Sequence, residues 1–301
     1  MSFLLRSTSM NKKTIVYIAG EGHSGSTLLD MILGSQPDTF SAGELRFLAE
    51  KGIKNREYCA CGSVVPECAV WGEIIAKWND LRILDLKSYI ETQNILLSKR
   101  GIFDAKKLLR KQTGPVKDFI KDTEKLYDTI FEVTGSNCII DSSKAPTMIP
   151  ILKQLGIEVR VVHLTRRFGD VLNSYKVHLK KNLEKGIEHE IKPQKTSYIL
   201  FSWFYKNIST TLYSRGIEYK KIKYEDYIDD LEEKIPEITA CGMDLHKLLK
   251  NRGPFVPRHL VAGSTIRMKG EIYVAKQPLG TAYKRLNKRD TLLAKFVDLF
   301  Y

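Results

Sequence analysis

Hydrophobic positions along the chain fall into two rhythms: unbroken apolar runs of strand length, and apolar residues spaced three and four apart. The first run, TIVYIAG (Thr14–Gly20), is β-branched and ends in glycine, which predicts a strand buried on both faces. CIID (Cys138–Asp141), EVRVVHLT (Glu158–Thr165) and IEYKKIKY (Ile217–Tyr224) read as three more strands. Helical patterns lie between them: Ser26–Gly34 closed by its glycine, Pro146–Leu155 stopped by Gly156, and Ser197–Arg215 stopped by Gly216. Val116, Phe119, Ile120, Leu126, Tyr127, Ile130 and Phe131 are spaced for one face of a further helix. Strands alternating with helices imply right-handed crossovers and a parallel sheet. The expectation is one α/β domain over residues 1–301, with a helical insert at about Asp80–Gly135.

At 301 residues, 43% hydrophobic and 28% charged, the composition is that of a globular protein with a substantial core. No apolar run approaches the ~18–20 residues of a membrane span, and MSFLLRSTSMNKK holds too short an apolar stretch for a signal peptide. A cytoplasmic protein without a membrane span is expected. The net charge of +13 changes the picture more, because residues 250–301 hold 11 lysines and arginines against three acids. Such a field favours anionic ligands, nucleic acid or an acidic surface, against the plain alternative of a solvated basic face. No helix-turn-helix, zinc-finger or RNA-binding motif accompanies the charge, so no nucleic-acid partner is expected.

Chemistry enters with GEGHSGST (Gly20–Thr27). Gly20 and Gly25 have the separation of a Walker A loop, G-x-x-x-x-G-K-[ST], but Ser26 follows directly and the lysine is missing. A glycine loop at the carboxyl end of a strand, leading into a helix, still makes an anion site from free N–H groups and the helix dipole. Gly22 and Gly25 allow close approach, and Ser24, Ser26 and Thr27 add hydroxyl donors. A P-loop kinase or other phosphotransferase is the alternative reading. It lacks the loop lysine, and Asp141 is its sole candidate for the aspartate that such enzymes place after an apolar strand.

GHSGSTLL followed by GSQPDTFSAGEL resembles the 5′-phosphosulfate loop of bacterial-type sulfotransferases that use PAPS (3′-phosphoadenosine 5′-phosphosulfate). VVHLTRRFGDVLNSY resembles the family's second motif, with Arg166 and, eight residues on, Ser174; IIDSSK, KYEDY and HLVAGSTIR resemble further segments in the same order. The resemblance covers most of the chain outside the helical insert. It implies a P-loop-NTPase-like three-layer fold around a central parallel sheet. It implies transfer of the sulfuryl group of PAPS to an acceptor hydroxyl of a glycan, a tyrosine or a small metabolite, with adenosine 3′,5′-diphosphate as product. Gly22, His23, Ser24, Gly25, Ser26 and Thr27 would then hold the 5′ end, and Arg166 and Ser174 the 3′-phosphate. Tyr224, Ser264 and Arg267 are further implied cofactor contacts, Ser264 standing where the family usually has asparagine.

Three residues are candidates for catalysis. His23 replaces the family's Lys or Arg and is expected beside the leaving phosphate, as an imidazolium favoured by nearby anions or as a neutral N–H donor; a histidine bonded to loop carbonyls is the bland alternative. Glu44, in SAGEL, stands in the place of the general base, unless it is simply a helix-start glutamate. Glu21 is expected to point along the outer side of the loop. Lys144 is a candidate charge contact near the transferred group, unless SSK merely caps the helix after Pro146. Sulfuryl transfer should resemble phosphoryl transfer in resting on positioning and charge stabilisation, but sulfate carries less charge than a terminal phosphate, so no divalent metal is expected.

Cys59, Cys61 and Cys68 begin the pattern of a zinc site but lack a fourth ligand at ordinary spacing. A local disulfide from Cys68 to Cys59 or Cys61 is a second reading, and a compact loop like that of the bacterial branch a third. The segment Lys176–Lys195, with six lysines, suits a mobile lid and, with the helical insert, an acidic acceptor.

Overall fold

The computed structural model describes residues 12–97, 114–183, 187–238, 245–276 and 283–301. At its centre is a five-stranded sheet: β1 (Thr14–Gly20), β2 (Thr39–Gly43), β3 (Cys138–Lys144), β4 (Glu158–Thr165) and β5 (Glu218–Lys223). The order is β2-β3-β1-β4-β5 and every pairing is parallel. β1 is buried at all seven positions, as its apolar run predicts.

Its side chains alternate between two cores. Ile15, Tyr17 and Ala19 face a cluster that contains Trp71, Trp78, Phe119, Tyr127 and Ile130. Val16 and Ile18 face another, with Leu29, Ile32, Tyr227 and Phe255. Helices therefore cover both faces, and the molecule has three layers. On the first face lie α2 (Ala69–Leu81), α3 (Leu86–Leu97) and α4 (Gly114–Thr134), after α1 (Ser26–Leu33) has packed on the second. α4 buries all seven apolar residues that its spacing selected. α-Helical structure in this part of the chain begins at Ala69, earlier than Asp80, and residues 98–113 lie outside the described residues. Further along come α5 (Phe168–Tyr175), α6 (Thr196–Tyr213) and α7 (Lys288–Asp298).

Two elements depart from the sequence reading. β2, TFSAG, was not expected: it is five residues long and carries a serine and a glycine, so its period is diluted. β3 continues three residues past Asp141, through Ser142, Ser143 and Lys144. A polar strand end is buried here because each group finds a partner. Ser142 Oγ donates to Asp30 Oδ2 (2.6 Å), and Tyr127 OH donates to Asp141 Oδ2 (2.6 Å). Ser143 bonds Asp141 through its N–H (2.9 Å) and its hydroxyl.

Candidate active site

In a parallel sheet the carboxyl ends of all strands lie on one edge, and a ligand crevice opens where crossovers leave in opposite directions. β1 sits at that point, between β3 and β4. Each strand delivers a candidate residue to the same edge: the Gly20–Gly25 loop after β1, Glu44 after β2, Lys144 at the end of β3, Arg166 after β4 and Tyr224 after β5.

The loop has a geometry that only its glycines allow. Gly20 (φ 140°) passes so close to Leu164 that a Cβ would lie 2.2 Å from its carbonyl oxygen. Gly25 (φ 89°) precedes α1, and a Cβ there would meet the Tyr224 ring at 2.4 Å. No side chain caps α1, so its first-turn N–H groups remain available to a ligand. Ser24 Oγ is buried and has no hydrogen-bond partner, an uncommon state for a hydroxyl at a loop tip. Ser26 and Thr27 are buried beside it, and Thr27 Oγ1 accepts from Ser264 N (3.2 Å).

Glu21 overturns its expected outward orientation. It is 1% exposed and accepts from Gly22 N (2.7 Å), Tyr175 OH (2.9 Å), Ser202 Oγ (2.5 Å) and Lys206 Nζ (2.9 Å). Burial alone would raise its pKa, but the Lys206 charge and these donors hold it below the usual carboxylate value. The carboxylate thus ties the loop to α5 and α6, and it is fully engaged.

Glu44 and Lys144 form an ion pair, Nζ to Oε1 2.5 Å, with about a tenth of each side chain exposed (11% and 12%). Desolvation pushes the Glu44 pKa up, yet the Lys144 charge and its hydrogen bond, helped by Arg46 and Lys51, bring it below the ordinary value. Glu44 is therefore an anion at neutral pH. It also stands at the N-cap of a short 3-10 helix (Leu45–Phe47), but it makes no capping bond and lies outside the first turn. Lys144 adopts φ 64° at the strand end and pairs with Glu44; capping is not its role. His23 (φ 61°) packs edge-on against Tyr175, with ring centroids 4.3 Å apart. Although its side chain is exposed, desolvation and the charges of Lys144 and Arg166 lower its pKa to about 4, against a smaller upward pull from Glu21 and Glu44. That direction favours the neutral imidazole, the second of the two forms expected.

Arg166 Nη1 donates to His23 O (2.9 Å), and the guanidinium lies over the Tyr224 ring, 4.1 Å from its centroid. Its Nε is buried and unpartnered. Ser174 Oγ donates to Asp170 O (3.0 Å) within α5. Ser264 caps the turn Thr265–Met268 by accepting from Ile266 N (3.4 Å). Arg267 is 2% exposed; its Nη groups bond Gly263 O (3.3 Å), Tyr58 O (3.3 Å) and Glu188 Oε1 (3.1 Å). A phosphate contact by Arg267 would have to compete with Glu188. That glutamate belongs to the expected lid segment, whose described part is pinned through Leu179–Ile191 and Asn182–Ile187 bridges and a His189–Glu57 pair (3.1 Å).

Sequence spacing missed one convergence entirely. His259 brings Nδ1 to 3.3 Å from Cys68 Sγ and 4.0 Å from Cys59 Sγ, so the three cysteines do have a fourth neighbour, 191 residues along from Cys68. The pairing of β2 with β3 and of the 261 strap with Gly43 folds those segments together, which no local spacing could signal. No disulfide joins Cys59, Cys61, Cys68 or Cys138; Cys241 lies outside the described residues.

No family model and no curated protein matches the chain. Among solved structures it is similar to the sulfotransferase domain from the curacin biosynthetic pathway, at 15% identity and a TM-score of 0.49, over 96% of this chain and 98% of that one. It is also similar to the sulfotransferase domain from the Synechococcus PCC 7002 olefin synthase, at 17% identity and a TM-score of 0.47, over 97% and 96%. At these values the likeness is one of gross fold and carries no argument about the site. Among the described residues no helix is long and apolar enough to cross a membrane.

Proposed function

We propose that the protein is a sulfotransferase that moves the sulfuryl group of PAPS to an acceptor hydroxyl. The observation that carries this reading is the meeting, at one sheet edge, of an anion cradle with an unpartnered Ser24 hydroxyl and an ionised Glu44 held by Lys144. The residues fit such a donor: the loop N–H groups, Ser24, Ser26 and Thr27 suit its 5′ end. The Arg166 Nε offers a free donor to a second anionic group, and Ser174 could join it by releasing Asp170 O. Bound PAPS would supply the sulfuryl group, with adenosine 3′,5′-diphosphate leaving through the oxygen of its 5′-phosphate. The chain then has to orient the acceptor, take its proton and stabilise charge on the departing oxygen.

Glu44 takes the proton from the acceptor hydroxyl. Lys144 orients that carboxylate and places positive charge beside the transferred group. Neutral His23 donates an N–H to the leaving group, and an anion in the cradle raises its pKa from about 4 toward a protonated state. The lysines of 176–195 favour an acidic acceptor. A kinase reading is disfavoured by the missing loop lysine and by Asp141, which Tyr127 and Ser143 already engage. Incubation with PAPS carrying radiolabelled sulfate and fractionated cell extracts tests the reading. Label should pass to an acceptor fraction; transfer of phosphate from labelled ATP, with none of sulfate from PAPS, would overturn it.

A further inference from the structure

Cys59, Cys61, Cys68 and His259 bring one ligand atom each within 4.8 Å of all the others. We propose that these four residues bind a single zinc ion in a closed structural site. The proposal stands independently of the sulfotransferase reading. Zinc bound tetrahedrally by thiolates at ~2.3 Å and imidazole at ~2.0–2.1 Å places sulfur and nitrogen roughly 3.6 Å apart. The two measured separations, 3.3 and 4.0 Å, straddle that value. Three thiols and one imidazole with no carboxylate match zinc over calcium or magnesium, which want oxygen, and over iron–sulfur clusters, which want four thiolates.

The backbone around the four residues is organised as such a site requires. Cys59 N donates to Ser63 O (2.9 Å) and Gly62 N to Cys59 O (3.0 Å), a tight turn that presents Cys59 and Cys61 together. Cys68 is fixed at the start of α2, with its N–H on Val65 O (3.2 Å) and its carbonyl accepting from Gly72 N (2.7 Å). The indole N–H of Trp71 donates to the His259 carbonyl, so the helix that follows Cys68 also holds the histidine's backbone. Cys59 and Cys68 are buried, while Cys61 is exposed at the site's outer corner.

The site would staple a distant strap to the catalytic edge. Past His259, Ala60 N donates to Leu260 O (3.1 Å), Val261 N to Ala42 O (3.1 Å) and Glu44 N to Val261 O (2.8 Å). Metal binding therefore stabilises the contact between the cysteine loop, the strap and the backbone of Glu44. Because binding energy at a structural site adds to folding energy, its removal lowers thermal stability.

The test uses the full chain, purified with reductant and no chelator, with metal content measured by plasma mass spectrometry. About one zinc per chain is expected, released by an organomercurial. Cobalt exchange should give the visible bands of tetrahedral cobalt with thiolate charge transfer in the near ultraviolet. Cys61→Ser, at the exposed corner, should leave the fold intact and weaken zinc binding by more than the ~10–100-fold typical of an outer-shell change. His259→Ala should shift the cobalt spectrum. Zinc-free protein that neither takes up zinc nor gives tetrahedral cobalt bands, or a mass lower by two hydrogen atoms that marks a disulfide among the three cysteines, would overturn the proposal.

Discussion

Lys144 Nζ stands 2.5 Å from Glu44 Oε1, joining the carboxyl ends of two neighbouring strands. The pair sets the charge state on which a general base depends. Removing the lysine leaves desolvation as the largest remaining influence on Glu44, and desolvation raises a carboxylate pKa. Glu44→Gln is expected to keep diphosphate binding and lower turnover by ~10²–10⁴-fold. Lys144→Met is expected to move the acid limb of the pH–rate profile to higher pH, since a base with a raised pKa loses its anion earlier as pH falls. Unchanged turnover in Glu44→Gln across pH 6–9 would assign the base to His23.

Ser24 offers a cleaner separation of binding from stability. Its buried hydroxyl has no partner to lose, so Ser24→Ala should leave unfolding free energy unchanged or slightly higher. Diphosphate binding should weaken by about 1 kcal/mol, the worth of one hydrogen bond. Chemical denaturation and calorimetry on the same variant check both halves.

Arg267 should behave in the opposite way. Its guanidinium is 2% exposed and paired with Glu188, so Arg267→Met strands a largely buried carboxylate. The expected cost is about 3 kcal/mol of stability, at the low end for a buried pair because Glu188 keeps some exposure. A fall in diphosphate affinity without a fall in stability would restore the ligand contact that the sequence motif implied.

Local signals could be read from the sequence; long-range ones could not. β1, the glycine loop, α1 and β4 were legible because their signals are local: apolar runs, a loop glycine, a helix stop. Glu44 and Lys144 were legible as individual candidates, but their pairing depends on β2 lying beside β3, and β2 carries too weak a pattern to be read. Glu21 was misread for a related reason: its partners Tyr175, Ser202 and Lys206 come from two helices more than 150 residues away. His259 belonged to a motif noticed for Arg267, and its link to Cys68 is purely tertiary.

Acid sensitivity should trace to a buried histidine in the sheet. His163 is 1% exposed, bonded to Tyr219 OH (2.8 Å) and Asn207 Oδ1 (2.9 Å), and burial lowers its pKa to about 4. Between that value and ~6.5 the unfolded chain takes up a proton that the folded chain does not, so stability falls as pH drops through this window. Asp30, raised to about 7 by burial, acts the other way: the stability of its protonated form is present below ~4 and is lost as pH rises through 7. Urea unfolding at pH 5 and 7.5 should show His163→Gln losing less stability on acidification than the unsubstituted protein. Asp30→Asn should keep more of its stability at the higher pH. Identical pH dependence in all three would contradict both assignments.

The proposed function requires the Gly22–Thr27 cradle to take the 5′ end of a nucleotide and Arg166 to take an anionic group at its 3′ end. Titration calorimetry with adenosine 3′,5′-diphosphate, adenosine 5′-phosphate and ATP tests this directly. The diphosphate should bind most tightly, and Arg166→Ala should remove ~1.5–3 kcal/mol of that affinity while leaving 5′-phosphate binding nearly unchanged. Equal affinity for the two adenosine phosphates, or a preference for ATP, would contradict the account.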